Sequence, residues 1–284
     1  MKITVIGAAN IDIKTKSKIP IVQGDSNPAD VSLRAGGVAR NISAMLARHG
    51  AQVDFITAVG NDPFGNLLRE NCKGLGVGTD AWIVKSNIST GVYLAALEND
   101  GELYAAFNAT TAPESIRTAE LTKHKGLIKD ADLLILDLNL SEKILSLAIQ
   151  LRDGRPVMVD AVSVAKASRV EKFLDRVDIL KLNRIEAERL TGITLDTKER
   201  VKQASYNIVS RGVARTFVTL GVAGVCAADK NSAIFVPAIA VPVKDVTGAG
   251  DAFAAGIALS LKSDLREQAQ YGVKLAAEHL RKNI

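Results

Sequence analysis

The run Asp245-Val246-Thr247-Gly248-Ala249-Gly250-Asp251-Ala252-Phe253 sets a carboxylate directly behind a turn of small residues. Ala252 to Ala258 is apolar and helix-compatible, so Gly248 to Gly250 is expected to form the amino-terminal turn of a helix. Unpaired N–H groups at such a turn, together with the helix dipole, bind anions, and small residues let a phosphate come close. Asp251 would then stand beside a polyphosphate that repels its own charge. Taking a proton from a hydroxyl that attacks a phosphoryl group is the chemistry that calls for a carboxylate there. A plain Gly-rich helix start with an acidic first turn accounts for the same few residues.

Upstream of this run, short β-rich apolar segments alternate with helical patterns, the signature of βαβ units and a mainly parallel sheet. Strands are expected at Ile3 to Ile6, Val53 to Ala58, Leu133 to Leu136, Val157 to Val159, Ile179 to Leu182 and Thr216 to Leu220. Helical spacing covers Val38 to His49, Pro63 to Cys72, Ser141 to Leu151, Arg184 to Leu190 and Thr197 to Arg211, with Gly50, Gly192 and Gly212 as stops. Two regions break the rhythm. Lys14 to Leu33 is polar, with Pro20 and Pro28, and Gly91 to Phe107 reads as two strands joined by Glu98-Asn99-Asp100-Gly101, a hairpin signal. These insertions, approximately 14–33 and 91–108, are expected to form a small β lid over a substrate, on a single domain spanning 1–284.

Hydrophobic residues at 47% and charged residues at 24% are ordinary globular values, so 284 residues can bury a large core. The formal charge of +5 suits anionic ligands, but aromatics are only 4% and no Lys/Arg block carries interleaved aromatics, which argues against nucleic acid as a partner. Cys72 and Cys226 stand in unrelated contexts and give neither a disulfide framework nor a metal spacing. Met1 to Gly7 reads as a first core strand rather than a secretory leader, and no apolar stretch is long enough to span a bilayer. A cytoplasmic protein without membrane contact is therefore expected.

Two further segments stand in order before the 245–256 run: Ala35-Gly36-Gly37-Val38-Ala39-Arg40-Asn41-Ile42-Ser43, with paired glycines and a downstream Asn, and Asn183-Arg184-Ile185-Glu186. Together the three resemble the signatures of the PfkB (ribokinase-like) carbohydrate and nucleoside kinases, over nearly the whole chain. That resemblance implies a ribokinase-like three-layer α/β/α fold with a mainly parallel central sheet and a small β lid. It further implies ATP and Mg²⁺ as cofactors, a small-molecule nucleoside or sugar substrate, and a homodimer formed through the lid. Neither a Gly-x-x-x-x-Gly-Lys-Ser/Thr loop nor a Gly-x-Gly-x-x-Gly loop occurs in the right context, so the phosphate site falls to Gly248, Ala249 and Gly250.

By the same resemblance those three residues form an anion hole and Asp251 is the base. Asn183 and Glu186 organise Mg²⁺ around the ATP phosphates, Glu186 through water, although Asn183 with Glu186 three residues on also fits a capping box that needs no metal. Asp12 accepts hydrogen bonds from sugar hydroxyls, although a solvated loop acid accounts for it too, Gly36 and Gly37 let the sugar approach the backbone, and Asn10, Asn41, Tyr93 and Asn108 add contacts. Thr219, Gly221 and Gly224 match the nucleotide-side strand and loop, or simply a strand and a tight turn. Asp245 offers one oxygen to a monovalent cation such as K⁺. Because the helix-compatible stretch Asp264 to Arg281 runs almost to Ile284, weak K⁺ activation and an adenine site open to GTP are expected. His49, His124 and His279 occur singly and receive no role.

The segments Asp25-Ser26-Asn27-Pro28, Gly36 to Asn41 and Val159-Asp160-Ala161-Val162-Ser163 with Lys166, and the lid residues Thr90, Tyr93, Leu94 and Asn108, are similar to the pseudouridine-kinase branch of that family. The implied acceptor is the 5′-hydroxyl of pseudouridine, with Ala109 standing where that branch more often carries Asp. Other ribokinase-like acceptors are the first alternative. The intact Asp251 and its glycines argue against a non-catalytic nucleoside-binding protein.

Overall fold

The computed structural model describes residues 1–243 and 245–282. Its central sheet has nine strands, which from one edge are Ala233–Val236, Val225–Asp229, Arg215–Thr219, Ile179–Asn183, Val157–Asp160, Leu133–Asp137, Lys2–Ile6, Gln52–Ile56 and Val77–Gly78. All pairings from Arg215–Thr219 to Val77–Gly78 are parallel, and the two at the other edge are antiparallel. Alternate residues of one strand feed two cores: Leu134 and Leu136 pack on one side, Leu133 and Ile135 on the other. Helices Glu142–Leu151, Arg184–Thr191 and Lys198–Ser210 supply the first core, and helices Val38–Arg48, Ala249–Leu259 and Leu265–Lys282 the second. Burial on both faces is why these strands read as unbroken apolar runs. No helix among the described residues is long and apolar enough to cross a membrane.

The expected strand Val53 to Ala58 divides. Gln52–Ile56 stays in the central sheet, whereas Ala58–Gly60 leaves it to pair with Ile83–Lys85. An apolar run does not say which sheet each half joins. The lid is also broader than the polar segment suggested. Asn10–Ser17 and Ala29–Gly36 pair antiparallel, Gly91–Leu97 joins the first of them in parallel, and Leu103–Ala109 completes a four-stranded sheet. The alternating Asn-Ile-Asp-Ile at 10–13 is the pattern of a half-buried strand, so the lid begins at Asn10 and carries Asp12 with it.

Register places Arg34, Asp12, Tyr93 and Asn108 in one row across the lid. The neighbouring row, Leu33, Ile13, Leu94 and Phe107, lies on the opposite face, and there Phe107 is 65% and Leu33 49% exposed. The lid is joined to the sheet through Asp137, a buried carboxylate at the end of its strand. Its Oδ2 accepts the Ala8 N–H at 2.9 Å, where the chain leaves the central sheet, and the Ala39 N–H at 3.2 Å, where it returns from the lid.

Candidate active site

Asp137, Asp160, Asn183 and Thr219 are each the last residue of a parallel strand, so the polar motif residues collect along one edge of the sheet. This carboxyl edge is where open α/β sheets bind ligands. Helix Ala249–Leu259 starts above it, with Gly248 as N-cap at φ +81°. The Ala249 N–H is taken by the Val246 carbonyl at 3.2 Å, and the first bond inside the turn is Ala252 N–H to Gly248 O at 2.9 Å. The Gly250 and Asp251 amides, which lie between them, meet no acceptor among the described residues. The amides of this turn that could meet an anion are thus at Gly250 and Asp251, and Ala249 contributes its small size.

Asn41, on the first turns of helix Val38–Arg48, donates from Nδ2 to Asp251 Oδ2 at 2.7 Å. Asp251 keeps a partly open face, yet protein crowds its carboxyl from the other sides. That desolvation, reinforced by the nearby Asp160 charge, pushes the carboxyl up to about 7 against the opposing pull of Lys181, Asn41 and Arg40. A desolvated carboxylate balanced near neutrality can accept a proton at neutral pH.

Asn183 and Glu186 form the capping box that their spacing suggests: Asn183 Oδ1 accepts the Glu186 N–H at 2.9 Å and Glu186 Oε2 accepts the Asn183 N–H at 2.7 Å. Burial raises the Glu186 pKa, with Lys181 and the Asn183 amide opposing. No group of three or more His, Cys, Asp or Glu able to hold a metal occurs among the described residues. That donor set fits Mg²⁺ only as this ion is usually held, by substrate phosphates, retained waters and one or two carboxylates.

On the lid side Asn10 donates to Asp12 Oδ1 at 2.5 Å, and desolvation raises the Asp12 pKa. Gly36 lacks a side chain because the Asp12 carboxylate fills that space, and Gly37, at φ +96°, lies against the Ala8 carbonyl. The room left by these glycines is therefore used within the protein. Tyr93 and Asn108 sit opposite each other in the row that contains Asp12, both on exposed lid positions.

Thr219, Gly221 and Gly224 line a cavity of about 460 Å³ together with Ala249, Gly250 and Phe253. Thr219 supplies the only polar side chain among its described lining residues, so the cavity suits a flat apolar-faced ring next to the anion-binding turn. A larger cavity of about 840 Å³, lined by residues such as Met1, Asp132 and Arg155, lies at the opposite end of the strands and contains none of the motif residues.

Three neighbours of the site carried no signal of their own. Lys181 Nζ lies 3.0 Å from Asp160 Oδ2 beneath the turn that carries Gly250. His279, near the end of the last helix, holds the Thr247 carbonyl at 2.9 Å; because a carbonyl only accepts, Nε2 carries the proton. Arg40 is buried beside the turn, its guanidinium on the Gly36 and Ala35 carbonyls. Lys166, singled out in the sequence, donates to Asn139 Oδ1 at 2.5 Å on the same edge. Asp245 is occupied by the Thr247 N–H at 2.9 Å and by Arg34 at 3.8 Å.

The chain is 34% identical to the pseudouridine kinase of Escherichia coli K12 over 257 residues, 90% of this chain and 82% of that one. It is 28% identical to the guanosine-inosine kinase of Exiguobacterium acetylicum, covering 98% and 93% of the two chains. A solved structure of Arabidopsis thaliana ribokinase complexed with ribose and ATP superposes with a TM-score of 0.87 at 25% identity, over 99% of this chain and 92% of that one. Residues 1–283 match the pfkB family carbohydrate kinases. With a ribokinase-like fold and these relatives, the chain belongs to the pfkB family of carbohydrate kinases, as a sugar or nucleoside kinase.

Proposed function

We propose that this kinase transfers the γ-phosphoryl group of ATP to the 5′-hydroxyl of a ribosyl acceptor, and that pseudouridine is its preferred acceptor. The observation that carries the reaction is Asp251: a desolvated carboxylate raised to about 7, fixed by Asn41, beside two amides without acceptors. In this reading the acceptor oxygen lies between Asp251 and the γ-phosphorus. Its proton passes to Asp251 as the new P–O bond forms and the bond to the β,γ-bridging oxygen breaks. The Gly250 and Asp251 amides meet the charge on the transferring group, a preorganised arrangement that is usually the largest catalytic contribution. Mg²⁺, when bound, screens the ATP phosphates; Glu186 and Asn183 would hold it through water.

The cavity at Thr219 and Gly224 receives the purine, and its mostly apolar lining supports tolerance of GTP. Asp12, Asn10, Tyr93 and Asn108 receive the acceptor from the lid. The 34% identity to a pseudouridine kinase supports the substrate choice, whereas the similarity to a guanosine-inosine kinase and a ribokinase makes other ribosyl acceptors the second reading. The exposed apolar row Leu33 and Phe107 supports a homodimer joined through the lids. Both buried cysteines are free, which suits the cytoplasm. The deciding experiment compares kcat/KM for pseudouridine, uridine, guanosine and ribose with ATP. A site that hydrogen-bonds a base edge can reject an analogue lacking it by about four orders of magnitude. Ribose used as efficiently as pseudouridine would overturn the substrate choice.

A further inference from the structure

Lys181 is a buried ammonium that the proposed reaction leaves unused. It is 6% exposed, and its counterion Asp160, the opposite residue in the parallel register of the adjoining strand, is 1% exposed. Asp160 Oδ1 accepts the Val162 N–H at 2.9 Å, whereas the buried Oδ2 has no hydrogen bond among the described residues and faces Lys181 Nζ at 3.0 Å as its ion-pair partner. The turn that delivers this N–H is strained. Val162 has φ +66°, an outlying value for a β-branched residue, and the Ser163 N–H closes onto Ala161 O at 2.7 Å to make the rare three-residue turn. Such a conformation persists only where its surroundings impose it, and here it fixes the Asp160 carboxylate against Lys181.

The pair also lies in a telling place. A methyl group placed on Gly250 would sit 3.2 Å from Lys181 Nζ, so the ammonium is directly beneath the residue that precedes Asp251. A buried ion pair is a poor source of stability, because desolvation offsets the attraction. A strained turn is not needed to hold a pair whose only role is packing.

We infer that Lys181 and Asp160 are positioning residues with opposed effects on Asp251, the ammonium favouring its carboxylate and the Asp160 charge favouring its acid, so that their balance decides the pH at which the base is ready. This rests on the reading of Asp251 as the base. Among the described residues Arg40, on helix Val38–Arg48, also acts on Asp251, and Glu186 acts on Lys181 from the first turn of its helix. Both are left in place in the test.

The test follows kcat/KM for pseudouridine with ATP between about pH 5 and 9 in the wild type, Lys181→Met, Asp160→Asn and the double variant. Lys181→Met should move the acidic limb up by about one unit or more, and Asp160→Asn should move it down. The double variant should return towards the wild-type limb. In parallel, ¹³C NMR of labelled aspartate carboxyls, without Mg²⁺ or substrate, follows the resonance that Asp251→Asn deletes; its midpoint should move in the same directions. A merely structural pair would lower the melting temperature or kcat and leave limb and midpoint unmoved. Unmoved midpoints in folded variants overturn the inference, and if Lys181→Met does not fold, Asp160→Asn decides by the same measurement. Failure of the underlying reading looks different: Asp251→Asn would then turn over like the wild type, while the NMR midpoints still report on Lys181 and Asp160.

Discussion

In the proposed reaction Asp251 is the residue on which the chemistry turns. Asp251→Asn keeps the shape and is expected to lower turnover by about two to four orders of magnitude, measured as ADP release. A purified variant retaining more than a tenth of wild-type turnover would remove Asp251 as the base. The same substitution has a stability consequence. The folded-state pKa, about 7, lies above the ordinary aspartate value of 3.8, so the contribution of Asp251 to stability is full below the lower value and is lost as pH rises through the higher one. Asp251→Asn should therefore melt above the wild type at about pH 8, with the gap closing towards about pH 4, as thermal denaturation across that range will register. Gly248 to Asp251 and the Asn183–Glu186 box were legible in the sequence because all their parts are local. Asn41 was legible only as a polar residue, since its partner stands 210 positions away. Lys181 and Asp160 are joined only by strand register, which no single segment encodes.

Among the elements, the last two helices frame the anion-binding turn. Helix Ala249–Leu259 begins it, and helix Leu265–Lys282 returns His279 to the Thr247 carbonyl. An imidazole N–H and the Arg34 guanidinium thus already engage two oxygens, those of Thr247 and Asp245, that a monovalent cation near the turn would use. Weak K⁺ activation follows. Rate against KCl at constant ionic strength should be nearly flat for the wild type, and His279→Ala, which removes this imidazole from the Thr247 carbonyl, should gain K⁺ dependence. Strong, saturable activation of the wild type would contradict this. The long apolar strands and capped helices were readable from periodicity and stop signals. Val77–Gly78 and Ile83–Lys85 were not, because two or three residues cannot establish a period, nor were the edge strands Val225–Asp229 and Ala233–Val236, whose alanines carry little strand signal.

For the molecule as a whole, the exposed row on the outer lid face is the surface that a second copy would cover. Sedimentation velocity is expected to give a dimer, and Phe107→Asp with Leu33→Asp a monomer, since each places a charge in the centre of an apolar contact. A wild type that sediments as a monomer at micromolar concentration would assign that face another use. The lid was visible in the sequence as a break in the βα rhythm, but its first residues were not, because the alternation at 10–13 covers only four residues and follows the first core strand closely.

The Asp137 staple makes the lid's two tethers dependent on each other. Ala8 and Ala39 donate to the same oxygen, so neither connection loosens alone: whatever releases the carboxylate releases both. In deuterium exchange the two amides should behave as a single opening event with one protection factor, although they stand 31 positions apart in the chain. Occupancy of the cleft should then slow both by the same ratio. Their exchange would measure how often the lid swings free, without any label on the lid itself.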